Sequence, residues 1–506
     1  MSNTNNLTSP FAFILFGGTG DLTQRKLIPS LFDLFKKGVL PEQFYVVGYS
    51  RRPYSSQDYK DFLQNAVIKY SHTSFDAGKW EEFSGKIYYQ IGELDNEAGY
   101  RKLIDLLSQF DKRVNACVPR FFYLATPPDL YSPILTNLYE TKLSEGCGQG
   151  SDKWTKVMIE KPFGRNLEDA KNLDARLARI FKEEQIYRID HYLGKETVQN
   201  IIAFRYGNAL FEPIWNRQYI DHVQMTVAET VGVETRGNFY EGVGALRDMT
   251  QSHLLELLAA VAMEEPRTFD AEGIRDARAT LIKNLNFINP KDTAKYTVRG
   301  QYATGKQLIN NEEVVVKGYR EEDNVNNGSN TETFVALQTT VNTKRWQGVP
   351  FYLRTGKRLM RKVTEISVVF KEPLIKIFTG YKAATPTITN VLTFKIAPQE
   401  GIELVLNAKR PGLDTVLEQR NMNFMYKQED VQADPYERLL LDAMRGDQRL
   451  FTRTDEVVAS WEFVSQIAQG WWNQGTPGFP NYAAGSWGPQ AADELIARDG
   501  RAWLTR

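Results

Sequence analysis

The stretch Phe11-Ala12-Phe13-Ile14-Leu15-Phe16-Gly17-Gly18-Thr19-Gly20-Asp21-Leu22 decides the fold. Six consecutive apolar residues suit a strand buried on both faces, the environment found in a parallel sheet. Four loop residues come directly after it, and then Leu27, Leu31, Leu34 and Phe35 recur at helical intervals until Gly38. Phe44-Tyr45-Val46-Val47 reads as a second strand. Strand, glycine loop, helix and strand open a dinucleotide-binding fold, because glycines let backbone N–H groups approach a pyrophosphate at the helix start. The spacing is G-G-x-G rather than G-x-G-x-x-G, so a plain tight turn competes with this assignment.

The residues after the second strand bear on the coenzyme. An NAD site places an acid there to hold the ribose 2′-hydroxyl. This chain offers Gly48-Tyr49-Ser50-Arg51-Arg52 and no acid. Two guanidiniums suit a 2′-phosphate, which points to NADP and leaves weaker use of NAD open; a solvated basic turn is the alternative. Strands at 86–90, 121–125 and 157–159 alternate with helices at 100–110, 130–139 and 167–181. The strand at 157–159 runs into Glu160-Lys161-Pro162-Phe163-Gly164, which sets Lys161 at a C-terminal strand end, where chemistry gathers in such sheets. A lysine there is as often incidental.

The alternation stops at Arg188-Ile189-Asp190-His191-Tyr192-Leu193-Gly194-Lys195. If this stretch is a first helical turn, His191, Tyr192 and Lys195 converge on one side and suit a phosphate monoester. Asp190 would repel that anion and so should serve another part of the ligand; an N-capping Asp before a solvated amphipathic turn competes. The expected domains are 1–190, a Rossmann-like NADP-binding domain, and 191–506, a larger α+β domain on a mostly antiparallel sheet. The latter expects strands at 220–229, 333–342, 351–354, 365–370, 391–396 and 402–406, with helices at 194–204, 243–263, 436–444 and 456–467. Residues 310–330 read as a polar loop.

Composition removes other classes. With 62 basic and 62 acidic residues among 506, neither nucleic acid nor an acidic membrane is an expected partner. The polar first ten residues carry no apolar core of a secretory signal, and no apolar run is long enough to span a bilayer. Cys117 and Cys147 form no disulfide framework and read as packing residues in a reducing cytoplasm. Four histidines, His72, His191, His222 and His253, show no ligand spacing, so no metal is expected.

Taken in order, the glycine loop, Glu160 to Gly164 and Arg188 to Lys195 are followed by three further motifs. These are Arg247-Asp248-Met249-Thr250-Gln251-Ser252-His253, Trp346-Gln347-Gly348-Val349-Pro350 and Arg354-Thr355-Gly356-Lys357. The ordered set closely resembles the glucose-6-phosphate dehydrogenase family over essentially the whole chain. The resemblance implies oxidation of D-glucose 6-phosphate at C1 to 6-phospho-D-glucono-1,5-lactone with hydride transfer to NADP, the first step of the oxidative pentose phosphate pathway. It implies that His253 is the general base, oriented by Asp190. His191, Tyr192 and Lys195 would hold the phosphate, Glu229 and Asp248 the sugar hydroxyls, and Lys357 and Lys362 would make further substrate contacts. Lys161 would lie between coenzyme and sugar. Gly17, Gly18, Thr19, Gly20, Asp21 and Leu22 would form the coenzyme loop, with Arg51 at the 2′-phosphate and Arg52 adding positive charge. A homodimer or homotetramer is implied as well.

An isolated helix with His253 in line with Leu246, Met249 and Leu257 would make it a core residue. Asp248 lies five residues earlier, about 140° away on an α-helical wheel, so both can face one sugar only if the helix is distorted or begins there. Ser252 and Glu241 depart from the family's common asparagine and aspartate. Two competing functions are a glucose-fructose oxidoreductase or inositol dehydrogenase type of enzyme, which shares the Glu-Lys-Pro and needs no phosphate, and an NADP(H) sensor without turnover.

Overall fold

A computed structural model describes residues 7–148, 155–309, 311–373, 389–426 and 433–505. Chain contacts divide it into two compact units, each described by itself. The first comprises Met1–Gly194, Thr268–Arg275 and Gln432–Val457; the second comprises Lys195–Arg267, Asp276–Val431 and Val458–Arg506.

The first unit is built on parallel strands β1 (Phe11–Phe16), β2 (Phe44–Ser50), β3 (Ile87–Ile91), β4 (Arg120–Leu124), β5 (Lys156–Glu160) and β6 (Ile186–Ile189). Their spatial order is β6-β5-β4-β1-β2-β3, with a short strand Phe451–Thr452 antiparallel on the β6 edge. All six residues of β1 are buried, as an apolar run between two helical layers requires. Phe13 pairs with Val46 on one side and Phe121 on the other, at the centre of the core. The order reverses at β1, and the loops at the C-terminal ends of β1 and β4 open there; this is where α/β sheets bind ligands.

The helix Pro435–Arg445, assigned from sequence to the later domain, belongs to the first unit. Lys156 Nζ donates to the Ala443 carbonyl (3.0 Å), and Lys26 pairs with the N-capping Asp434 (2.8 Å). Cys117 and Cys147 are also corrected: they are joined by a disulfide rather than packed as free thiols. Cys117 precedes β4, Cys147 lies in the connection to β5, and these two strands are neighbours. Two isolated cysteines give no spacing signal, so only the sheet order brings them together.

The second unit carries an eight-stranded sheet. Its order is Leu417–Met425, Gly401–Lys409, Val391–Ala397, Val363–Phe370, Ile220–Ala228, Pro350–Gly356, Phe334–Thr340, Thr297–Gly300. All described pairings are antiparallel except Ile220–Ala228 with Pro350–Gly356, matching the mostly antiparallel sheet expected. Residues 310–330 are not simply a loop: Glu312–Val316 pairs antiparallel with Gly305–Ile309, its polar residues facing solvent, while Asn310 lies outside the described residues. No described helix is long and apolar enough to cross a membrane.

Candidate active site

In the first unit the glycine loop is shaped by close approach. Gly17 has φ +88°, and a Cβ there would meet the Ala125 carbonyl oxygen at 2.4 Å. A Cβ on Gly18 would meet Gly48 Cα at 2.7 Å. Both N–H groups donate to the Tyr49 carbonyl (3.1 Å each), and Gly20 N–H donates to Gly17 O (2.8 Å). Those glycines therefore pack the loop onto β2, and the N–H groups suited to an anion are those of the helical turn beginning at Asp21 and Leu22. Thr19 Oγ1 and Ser50 Oγ lie 3.0 Å apart, tying the loop to the end of β2. Arg51 and Arg52 come next, both exposed, as a 2′-phosphate arriving from solvent requires. A glycine cradle with two solvent-facing guanidiniums at the next strand end fits NADP.

At the end of β5, Glu160 is enclosed by tyrosines. Tyr123 Oη donates to its carboxylate (2.5 Å), Tyr436 does likewise, and Tyr131 Oη donates to its carbonyl (3.0 Å). Burial pushes the Glu160 carboxyl up to about 7, against the pull of the tyrosine hydrogen bonds and Lys161. Lys161 comes next and joins Pro162 through a cis peptide bond. Sequence motifs marked Lys161 and passed over Glu160, although it stands in the same motif.

The Arg188 to Lys195 stretch is not a first helical turn. Arg188 and Ile189 end β6, residues 191–194 form a turn, and Lys195 is the N-cap residue of the helix Glu196–Tyr206. Arg188 does not face a ligand: it is 2% exposed and bonds Glu183 and Asp174. Asp190 is 1% exposed and accepts the Tyr192 N–H (2.9 Å), which pins the turn that presents His191 and Tyr192. Their rings meet edge to face at 5.0 Å, and His191 stacks on Tyr436 at 6.4 Å.

In the second unit Lys357 Nζ bonds Glu229 Oε2 at 2.6 Å. The pairing results from register, since Gly356 lies opposite Ala228 in the parallel pair. Lys357 Nζ also sits 5.1 Å from the centre of the Tyr240 ring. Burial, and then the charges of Asp248, Glu332 and Glu229, raise the Tyr240 phenol well above its ordinary range. Those three carboxylates therefore all act on the charge of one phenol. Lys362, by contrast, is exposed and lines a cleft on the sheet with Arg361, Lys395 and Glu403.

Asp248 and His253 lie on a π-helix, Leu246–Leu254, which continues as the α-helix Leu255–Ala262. The Leu255 N–H reaches back to Thr250 O, the five-residue step of a π-turn. His253 is 1% exposed. Of the two departures from the family pattern, Ser252 bonds back to Asp248 O (3.2 Å), inside the helix. Glu241 accepts from Tyr319 and Ser329 (2.6 Å each), a structural role. His72 and His222 are likewise structural, bonded to Asp434 and Asp221.

Fold and site define a dinucleotide-dependent dehydrogenase, with a coenzyme domain followed by an α+β domain that carries a buried histidine on a π-helix and, about Tyr240, several carboxylates and a lysine. Residues 14–200 match the model of the glucose-6-phosphate dehydrogenase NAD-binding domain, and 202–504 that of its C-terminal domain. The chain belongs to the glucose-6-phosphate dehydrogenase family. It is 44% identical to glucose-6-phosphate 1-dehydrogenase of Chlamydia pneumoniae, over 99% of this chain and 97% of that one. A solved glucose-6-phosphate dehydrogenase in complex with its substrate glucose-6-phosphate superposes with TM-score 0.88 at 30% identity, over all of both chains. The Mycobacterium avium glucose-6-phosphate 1-dehydrogenase structure gives 0.82 at 31% identity, with 99% of each chain covered.

Proposed function

We propose that this chain oxidises D-glucose 6-phosphate at C1 to 6-phospho-D-glucono-1,5-lactone, opening the oxidative pentose phosphate pathway. The observation that carries the proposal is the buried His253, one π-turn from Asp248, in a unit where Glu229 and Lys357 are already paired beside Tyr240. His253 takes the C1-hydroxyl proton, and Asp190 orients the imidazole and stabilises its charged form; a carboxylate behind an imidazole makes an effective base near neutral pH. Glu229 and Asp248 hold sugar hydroxyls, with Lys357 and Lys362 as further contacts. His191, Tyr192 and Lys195 hold the phosphate. Lys161 lies between sugar and coenzyme. NADP+, when bound, supplies the hydride acceptor; Gly17 to Leu22, Arg51 and Arg52 hold it.

The same proposal divides the chain near residue 190 into coenzyme and substrate domains, with the segments Thr268–Arg275 and Gln432–Val457 returning to the first unit, and places it in the cytoplasm. It also makes the protein a homodimer or homotetramer, formed through the large sheet. The outer strand Leu417–Met425 leaves Met422 62% and Phe424 56% exposed, apolar surface that a second copy would cover. Sedimentation of the purified chain tests the oligomer: a monomer at micromolar concentration refutes it. The activity is tested by monitoring reduced-nicotinamide absorbance with glucose 6-phosphate and NADP, then NAD. No reduction with either coenzyme overturns the proposal, and equal efficiency on free glucose transfers it to the oxidoreductases that need no phosphate.

A further inference from the structure

Tyr240 is 3% exposed, yet its Oη has no hydrogen-bond partner among the described residues. A buried hydroxyl left unpaired costs stability, so such groups are uncommon where nothing binds to complete them. The surroundings of this one are specific. The side of its ring carries Lys357 Nζ at 5.1 Å, and that lysine is paired with Glu229. Tyr319 packs against it edge on at 6.2 Å, which fixes the ring from another side. Two of the nearby carboxylates have donors of their own: Glu229 Oε2 accepts from Lys357, and Glu332 Oε1 from the Leu246 N–H (3.0 Å). Burial and the charges of Asp248, Glu332 and Glu229 all oppose ionisation of the phenol, so it remains a donor throughout the working pH range.

We propose that Tyr240 donates its hydroxyl proton to a hydroxyl oxygen of the bound hexose 6-phosphate, and so is a specificity-determining residue for the sugar. The inference rests on the function proposed above. Glu229 and Asp248 are carboxylates and can only accept from sugar hydroxyls, while Lys357 is a charged donor held by Glu229. Tyr240 adds a neutral donor of fixed direction. A site built to bond a particular hydroxyl rejects the analogue lacking it, because a buried group is then left unpaired. The ring has a separate task as the platform beneath Lys357, so removing the hydroxyl alone isolates the contact.

The test uses the full-length protein, wild type and Tyr240→Phe, with NADP and either glucose 6-phosphate or its 2-, 3- and 4-deoxy analogues. Tyr240→Phe is expected to raise KM for glucose 6-phosphate about tenfold, the loss of one ordinary hydrogen bond, at unchanged KM for NADP. Its melting temperature should not fall, since no bond within the protein is removed; a purely structural tyrosine would show the reverse. One deoxy analogue should suffer a similar penalty on wild type and no added penalty on Tyr240→Phe. KM within twofold of wild type, or deoxy penalties unaffected by the substitution, overturns the assignment of Tyr240. Failure of wild type to oxidise glucose 6-phosphate overturns the functional proposal instead, and is seen before any variant is made.

Discussion

Asp248 and His253 stand one π-turn apart on the helix Leu246–Leu254. An α-helix would spread residues five apart by about 140°, whereas the wider turn of i→i+5 bonding brings them much closer to one face. The helix thus brings the buried His253 and Asp248 nearer to one face than regular α-helical geometry would. His253→Asn should lower kcat by about three to four orders of magnitude while glucose 6-phosphate still binds; Asp248→Asn should mainly raise KM. Steady-state kinetics with calorimetric titration of the sugar phosphate distinguish them. Lost binding with unchanged turnover in His253→Asn would remove the base from His253.

Glu229 and Lys357 form the pair that the parallel register imposes, with Lys357 3% exposed. Lys357→Met leaves a carboxylate without its counter-charge near Asp248 and Glu332, and should cost about 2 kcal/mol of stability. The double variant with Glu229→Gln should recover part of that loss. Urea denaturation measures both; additive losses would mean that the pair is not coupled.

Glu160 sets a pH dependence. Its carboxyl is held up to about 7 by burial, against an ordinary 4.5. The unfolded chain releases this proton first. The stabilising contribution is therefore full below about pH 4.5 and is lost as pH rises through 7. Glu160→Gln, an isostere of the protonated acid, removes that slope. The melting temperature of the variant minus that of wild type should climb between pH 5 and pH 8; an offset constant with pH would refute the assignment.

Arg51 adjoins the end of β2 and is exposed. Arg51→Ala should cut kcat/KM for NADP by roughly ten- to a hundredfold and leave NAD nearly unchanged, since only NADP carries the 2′-phosphate. Competing initial rates with the two coenzymes measure the ratio. A parallel loss for both would place the guanidinium elsewhere on the coenzyme.

The Cys117–Cys147 bond closes a loop with a sequence separation of 30. Chain-entropy bookkeeping gives such a cross-link roughly 3–4 kcal/mol. Cys117→Ser with Cys147→Ser should lower the denaturation midpoint accordingly, and dithiothreitol should do the same to wild type only. In a reducing cytoplasm both thiols would be held open, so thiol trapping in freshly lysed cells reports directly on the compartment.

Sequence alone determined the coenzyme fold. The run Phe11–Phe16, the glycines after it and the strand–helix alternation are local signals, and local propensity and apolar period act over a few residues. It also marked the residues proposed for chemistry, because their motifs are short and ordered. Tertiary structure alone decided what those residues meet. The tyrosine cage of Glu160 takes Tyr123 from β4 and Tyr436 from a helix far along the chain. Lys357 reaches Glu229 by strand register, Cys117 reaches Cys147 by sheet order, and Tyr240 becomes a donor without a partner among the described residues only when its neighbours close around it. The π-turn belongs to both levels: the five-residue spacing of Asp248 and His253 posed the question, and the helix supplied the extra residue per turn that answers it. Contacts of high sequence separation leave no periodic trace in the chain, since their geometry is fixed by packing rather than by neighbours.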